Sequence, residues 1–162
     1  KLPQDVIFSI VNNQLMVKIG NWTVVSRLIE GKFPDYKRVI PPQFSVKTKV
    51  NVKDLAGAVS RMSLCSGSEN DYSIVKISIG SNEIKVMSSS PDVGTGEEII
   101  SCNTEGNPIN VAFNAAYIMD IMKNIETEEA EINLNNSLSP VCIKPISEEE
   151  YIYIVTPVRV IF

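Results

Sequence analysis

The chain has 162 residues, 44% of them apolar, and its nineteen acidic against fifteen basic side chains leave a net charge of −4. That length holds one full domain and part of another around ordinary buried cores, and no apolar run approaches the roughly 18 residues a membrane span needs. There is no histidine, which removes the commonest general base, the commonest metal ligand and every Ser-His or Cys-His nucleophile arrangement.

Alternating or β-branched runs dominate the chain. Strands are predicted over Asp5 to Val11, Gln14 to Ile19, Thr23 to Ile29, Phe44 to Val50, Tyr72 to Ile79 and Glu83 to Ser88. Further strands are predicted over Glu97 to Cys102, Ile109 to Phe113, Glu129 to Leu134, Val141 to Lys144 and Tyr151 to Val155. The turn signals between them, such as Asn12-Asn13, Gly20-Asn21, Gly80-Ser81-Asn82 and Asn135-Asn136, favour tight reversals and hence antiparallel meanders.

Two segments read as helices. Over Asp54 to Ser66 the 3.6-residue period puts Leu55, Ala58, Val59 and Met62 on one stripe, with Asp54 as N-cap. Over Asn114 to Ile125 the stripe is Tyr117, Ile118, Ile121, Met122 and Ile125, with Asn114 as N-cap. Each helix has one apolar face and is expected to lie on a sheet, which gives an α+β fold.

The order of elements repeats. Phe44 to Cys102 reads strand, helix, three strands, and Ile109 to Val155 reads the same again, with a period of about 60 residues. Residues 5–29 carry a three-strand meander with no strand and helix before it. A meander of that size cannot bury a competent core alone, since even a domain of about 60 residues recovers only ~60% of its exposable surface. It is therefore expected to pack on the domain after it, or to belong to a longer parent.

Cys65, Cys102 and Cys142 are far apart, odd in number and never in a Cys-x-x-Cys pair. They read as reduced thiols, with no disulfide framework, zinc site or cofactor implied. Lys1 to Val6 lack the apolar core of a secretory signal, so the cytoplasm is the expected location. Gly94-Thr95-Gly96 is a poor phosphate cradle, because no helix start follows and Glu97 and Glu98 would repel the anion.

The stretch from Arg27 through Glu30-Gly31-Lys32-Phe33-Pro34-Asp35-Tyr36-Lys37-Arg38 to Pro41 closely resembles the linker between the second and third domains of the bacterial polymerase sliding clamp, the DNA polymerase III beta subunit. Ser90-Pro91-Asp92-Val93-Gly94 with Glu97-Glu98, Phe113-Asn114 with Tyr117-Ile118-Met119-Asp120, and the ending Thr156-Pro157-Val158-Arg159 are similar to that family in the same order. The resemblance implies a head-to-tail ring of two subunits with three similar domains each, every domain made of two strand-helix-three-strand units. On that map residues 1–41 are the end of the second domain and its linker, and residues 42–162 are the complete third. The first domain lies outside the chain, which alone is not expected to close a ring.

In the family the helices line the central hole and the strands form the outer wall. The resemblance makes Lys53, Arg61 and Lys123 the cations expected to face duplex DNA phosphates, giving weak, salt-sensitive attraction that lets a topologically held ring slide. Leu64 lies nearly opposite the apolar stripe of its helix, and the resemblance implies that it stands with Cys65 at the subunit interface. Partner peptides of the polymerase, the clamp loader and repair proteins are expected in an apolar pocket matched here by Pro34, Arg38, Val39, Leu138, Pro140, Thr156, Pro157, Val158 and Arg159. Thr156 and Val158 stand where the family commonly has methionines, implying a smaller and less adaptable pocket. The apolar tail of Val160, Ile161 and Phe162 is placed to cover or fill it.

No catalysis is expected. A hydrolase built on Ser or Asp near Ser88 to Asp92 lacks a base, a metal constellation and a nucleophile elbow. The alternative is a non-enzymatic adaptor domain that binds partner peptides by strand addition and has no DNA role.

Overall fold

A computed structural model of the protein describes residues 5–33, 35–66, 73–147 and 151–160. The chain divides into two compact units, Lys1–Asp35 and Tyr36–Phe162. Among the described residues no helix is long and apolar enough to cross a membrane.

The first unit is an antiparallel meander of β1 (Val6–Val11), β2 (Gln14–Ile19) and β3 (Trp22–Arg27). Val11 pairs with Gln14, so Asn12 and Asn13 alone make the first turn, at φ 50° and 62°. Both residues have positive φ, the geometry whose twist matches a two-residue hairpin and which asparagine tolerates best. The third strand ends at Arg27, two residues short of the expected Ile29, whose side chain is almost fully exposed. Phe8, Ile10 and Trp22 are exposed too, because three strands alone provide no second layer to cover an apolar face.

The second unit begins with a 3-10 turn, Tyr36–Arg38. There follow β4 (Val46–Asn51), α1 (Val52–Ser63), β5 (Ile74–Ile79), β6 (Glu83–Ser90) and β7 (Gly94–Glu105). The same succession then recurs as β8 (Ile109–Asn114), α2 (Ala115–Lys123), β9 (Glu129–Leu134), β10 (Val141–Pro145) and β11 (Tyr153–Val155). All pairings are antiparallel, in one sheet ordered β11-β10-β9-β4-β7-β6-β5-β8. The repeat expected from the sequence is therefore real in the order of elements, and β4 and β9 join the two copies side by side.

Both helices start from the same device. Asn51, the last residue of β4, caps α1 by accepting from Lys53 N at 2.9 Å and Asp54 N at 3.1 Å. Asn114, the last residue of β8, caps α2 by accepting from Ala116 N at 2.9 Å. The expected cap Asp54 is thus corrected: it lies inside the first turn, where a carboxylate favours the positive end of the helix dipole.

The helices pack against each other on one face of the sheet. Leu55, Ala58 and Val59 of α1 and Ile118, Ile121 and Met122 of α2 are buried against Val75, Ile84, Val86, Phe113, Ile132 and Leu134 of the strands. Met62 is only partly buried. Tyr117 leaves the expected stripe altogether at 56% exposure. The ring stands at the margin of the apolar arc, and its polar tip is better served by water than by the core.

β7 ties the unit together by pairing with β6 over its first part and β4 over its last. It starts at Gly94 rather than the expected Glu97, since Ser90 pairs with Gly94 and Ser88 with Gly96. Gly96 also permits a close approach. A Cβ there would lie 2.9 Å from Met62 Sδ and 3.0 Å from Cys65 Sγ, so only glycine lets the end of α1 settle on this strand without a shift. The expected start of β5 at Tyr72 lies outside the described residues.

Candidate functional site

The helix face turned away from the sheet carries Lys53 and Asp54 in the first turn of α1, Arg61 in its last, and Asp120 and Lys123 on α2, all exposed. Lys53 and Lys123 are brought together. Both line an open cleft of about 610 Å³ between the start of α1 and the end of α2, alongside Glu126 and Glu128. Lys123 Nζ lies 3.7 Å from Asp120 Oδ1, a contact between two exposed side chains that adds little.

Arg61 is apart from this pair and already engaged. Its Nε donates to Glu98 Oε2 at 2.8 Å and its Nη2 donates to Oε1, a two-pronged grip on a β7 carboxylate. The Arg61 hydrogen bond, with a smaller contribution from its charge, holds the Glu98 carboxyl below its ordinary range against partial desolvation. The Glu98 hydrogen bond is likewise the main cause of the raised Arg61 value. Sequence reasoning missed Glu98 as a partner because it is 37 residues away, and only the fold makes them neighbours.

The two residues expected at a subunit interface part company. Leu64 is the C-cap of α1 and stands 76% exposed. Cys65 is half-buried with its Sγ against Gly96 of β7. Burial raises the Cys102 and Cys142 thiols above their ordinary range, and all three cysteines are free.

Of the residues expected in the partner pocket, the register gathers one group. Val141 pairs with Val155, so Leu138 and Pro140 before β10 and Thr156 to Arg159 after β11 leave the sheet at the same end. Asn136 shapes the first segment by accepting from Leu138 N at 2.9 Å and Ser139 N at 2.8 Å, which leaves Leu138 half-exposed. Pro157 is buried, and Val158 N donates to Ala112 O of β8 at 2.8 Å. Three residues span at most about 10 Å, so this bond draws the two outer strands of the sheet, β11 and β8, towards each other. Thr156 and Arg159 remain exposed, while Val158 and Val160 are half-buried.

Arg38 and Val39 sit on the 3-10 turn, closed by Val39 N donating to Tyr36 O at 3.0 Å, and both are exposed. Pro34, Ile161 and Phe162 lie outside the described residues. Among the described residues no group of three His, Cys, Asp or Glu side chains is placed to hold a metal ion.

A family model described as DNA polymerase III beta subunit, C-terminal domain, matches residues 37–159. The beta sliding clamp of Staphylococcus epidermidis is 31% identical over 157 residues, which are 96% of this chain and 41% of that protein. That of Staphylococcus aureus is 30% identical with the same coverage. Among solved structures, the DNA polymerase III beta subunit of Thermotoga maritima superposes with a TM-score of 0.82 at 33% identity, covering 96% of this chain and 42% of that one. The sliding clamp of Bartonella birtlesii gives 0.85 at 30% identity, covering 96% and 41%. The chain thus spans well under half the length of the relatives it matches. With its repeated strand-helix-three-strand units and a family match over most of its length, this chain belongs to the family of the DNA polymerase III beta subunit, C-terminal domain.

Proposed function

We propose that this chain is the C-terminal part of a DNA polymerase processivity factor, a sliding clamp that encircles duplex DNA in the cytoplasm without catalysing a reaction. In this reading residues 1–41 end the middle domain and supply the linker, and residues 42–162 are the third domain. The observation that carries it is the placement of α1 and α2 side by side on one sheet face, with Lys53 and Lys123 on their outward side. Family membership adds the comparison with proteins named beta sliding clamps.

Two lysines near acidic neighbours, and an arginine held by Glu98, make a mildly attractive lining. Affinity grows with the number of phosphates neutralised. A weak lining suits a protein retained by topology, because tight contacts would act as a brake. Leu64 is assigned to the contact with a second subunit, with Cys65 behind it as a packing residue.

The C-terminal edge is assigned to partner peptides of the polymerase, clamp loader and repair proteins. Leu138 and Pro140 provide apolar anchoring there beside the half-buried Val158, and Arg38 and Arg159 hold carboxylates or carbonyls, with Val39 alongside. The engagement of Arg61 favours one rival reading, an adaptor that binds peptides without DNA. Retention of the parent protein on closed-circular and linear DNA separates the two. A clamp stays on circles at salt concentrations that strip it from linear molecules, and equal loss from both forms would leave the adaptor.

A further inference from the structure

We propose that Asn136 is a positioning residue for the partner peptide: it fixes the Leu138 anchor and keeps its loop untied from the segment that follows β11. This role rests on the peptide-binding reading of the C-terminal edge.

The internal repeat holds two copies of the same corner. Glu83 opens β6 and pairs with Ser101 of β7, and Val141 opens β10 and pairs with Val155 of β11. Gly80-Ser81-Asn82 and Leu138-Ser139-Pro140 are therefore equivalent approaches to a strand. In the first copy the approach is closed by main-chain bonds: Gly80 N donates to Glu83 O at 2.8 Å, Cys102 N to Asn82 O at 3.0 Å and Thr104 N to Ser81 O at 2.9 Å. In the second copy no main-chain bond among the described residues joins Leu138–Pro140 to Thr156–Arg159, and Val158 N donates instead to Ala112 O of β8.

One side chain replaces these bonds. Asn136 Oδ1 accepts from Leu138 N at 2.9 Å and Ser139 N at 2.8 Å, and its Nδ2 donates to Ser139 Oγ at 2.8 Å. Asparagine can serve the backbone two and three residues on in this way, so the loop needs no bond from the segment beside it. Proline reinforces the separation, because Pro140 and Pro157 have no N–H to give to each other's segment. The result is a leucine 49% exposed on a loop held by three hydrogen bonds. An anchor ordered before binding spares the peptide the cost of ordering it. Gly80 stands at the equivalent place in the first copy and has no side chain to offer, so this anchor belongs to the second copy alone.

The test is an amide-resonance titration of the full chain with acetyl-Gly-Leu-Phe-Gly-amide, an uncharged probe that a charge placed at residue 136 neither attracts nor repels. Saturable shifts are expected at Leu138, Thr156 and Arg159 of the wild type. Asn136→Ala should weaken the affinity about fivefold, since the ligand must then order the loop and its anchor. Asn136→Asp keeps the acceptor for both amides and should bind like the wild type. In a Leu138→Ala background Asn136→Ala should have no further effect, because it acts through that side chain. Equal binding of wild type and Asn136→Ala, equal losses in the Ala and Asp variants, or losses additive with Leu138→Ala would overturn the positioning role and leave the peptide reading standing. Absence of saturable shifts at the C-terminal edge of the wild type would overturn both.

Discussion

Arg61 and Glu98 close a two-pronged ion pair between the last turn of α1 and β7. Gly57 makes room for it, since a Cβ at that position would stand 3.1 Å from both terminal guanidinium nitrogens. The consequence is electrostatic: the arginine reaches the helix face with its own counter-charge. In the parent protein, Glu98→Gln should strengthen DNA attraction and steepen its salt dependence, by about 0.9 in the slope of log K against log salt for one added phosphate contact. Lys53→Gln should flatten it by a similar amount. A slope unchanged in both variants would place this helix face away from DNA.

The same pair sets a pH dependence. Glu98 is held below its ordinary range in the folded protein, so its contribution is fully present above the pKa of an unfolded glutamate and is lost as pH falls through the folded value. Wild type should therefore exceed Glu98→Gln in stability at neutral pH, and the gap should narrow on acidification. Urea melts at several pH values measure it.

The two asparagine caps should be alike in their effect. Asn51→Ala and Asn114→Ala each leave amide donors at a helix start unpaired and should cost about 1 kcal/mol. Asp54→Ala should cost roughly 0.3 kcal/mol, a dipole contribution only. Paired thermal melts rank the three, and an Asp54 loss equal to that of Asn51 would contradict the cap assignment.

Neighbours on α2 should behave as opposites. Ile118 is 1% exposed and Tyr117 56%. Ile118→Ala should cost about 2–5 kcal/mol through lost burial and the cavity left behind, whereas Tyr117→Ala should stay within ~0.5 kcal/mol. Denaturant midpoints of the two variants decide it.

Much of this architecture was legible in the sequence. Gln14–Ile19 and Glu129–Leu134 are strands with the bounds expected, because paired asparagines or polar residues punctuate them. The tandem order of elements was legible for the same reason. What was hidden depends on contacts remote in sequence. Gly94 to Gly96 carry no alternation that marks a strand, and their pairing is dictated by Ser88 to Ser90. Asn51 falls just past the strand expected to end at Val50, and its role as a cap appears only when the chain turns directly from β4 into the helix. For the site, Leu64 was visible as an apolar residue opposite its own stripe. The capture of Arg61 by Glu98, the inward turn of Cys65 and the bond from Val158 to Ala112 are tertiary events that periodicity does not record.

The central claim is that the outward side of α1 and α2 faces DNA while the opposite sheet face does not. Photo-crosslinkers placed singly at Lys53, Lys123, Lys49 and Lys144 of the parent protein loaded on closed-circular duplex test it directly. Labelling of DNA from Lys53 and Lys123, with none from Lys49 and Lys144, is the result expected. DNA captured from the sheet-face positions, or from neither helix, would contradict the account.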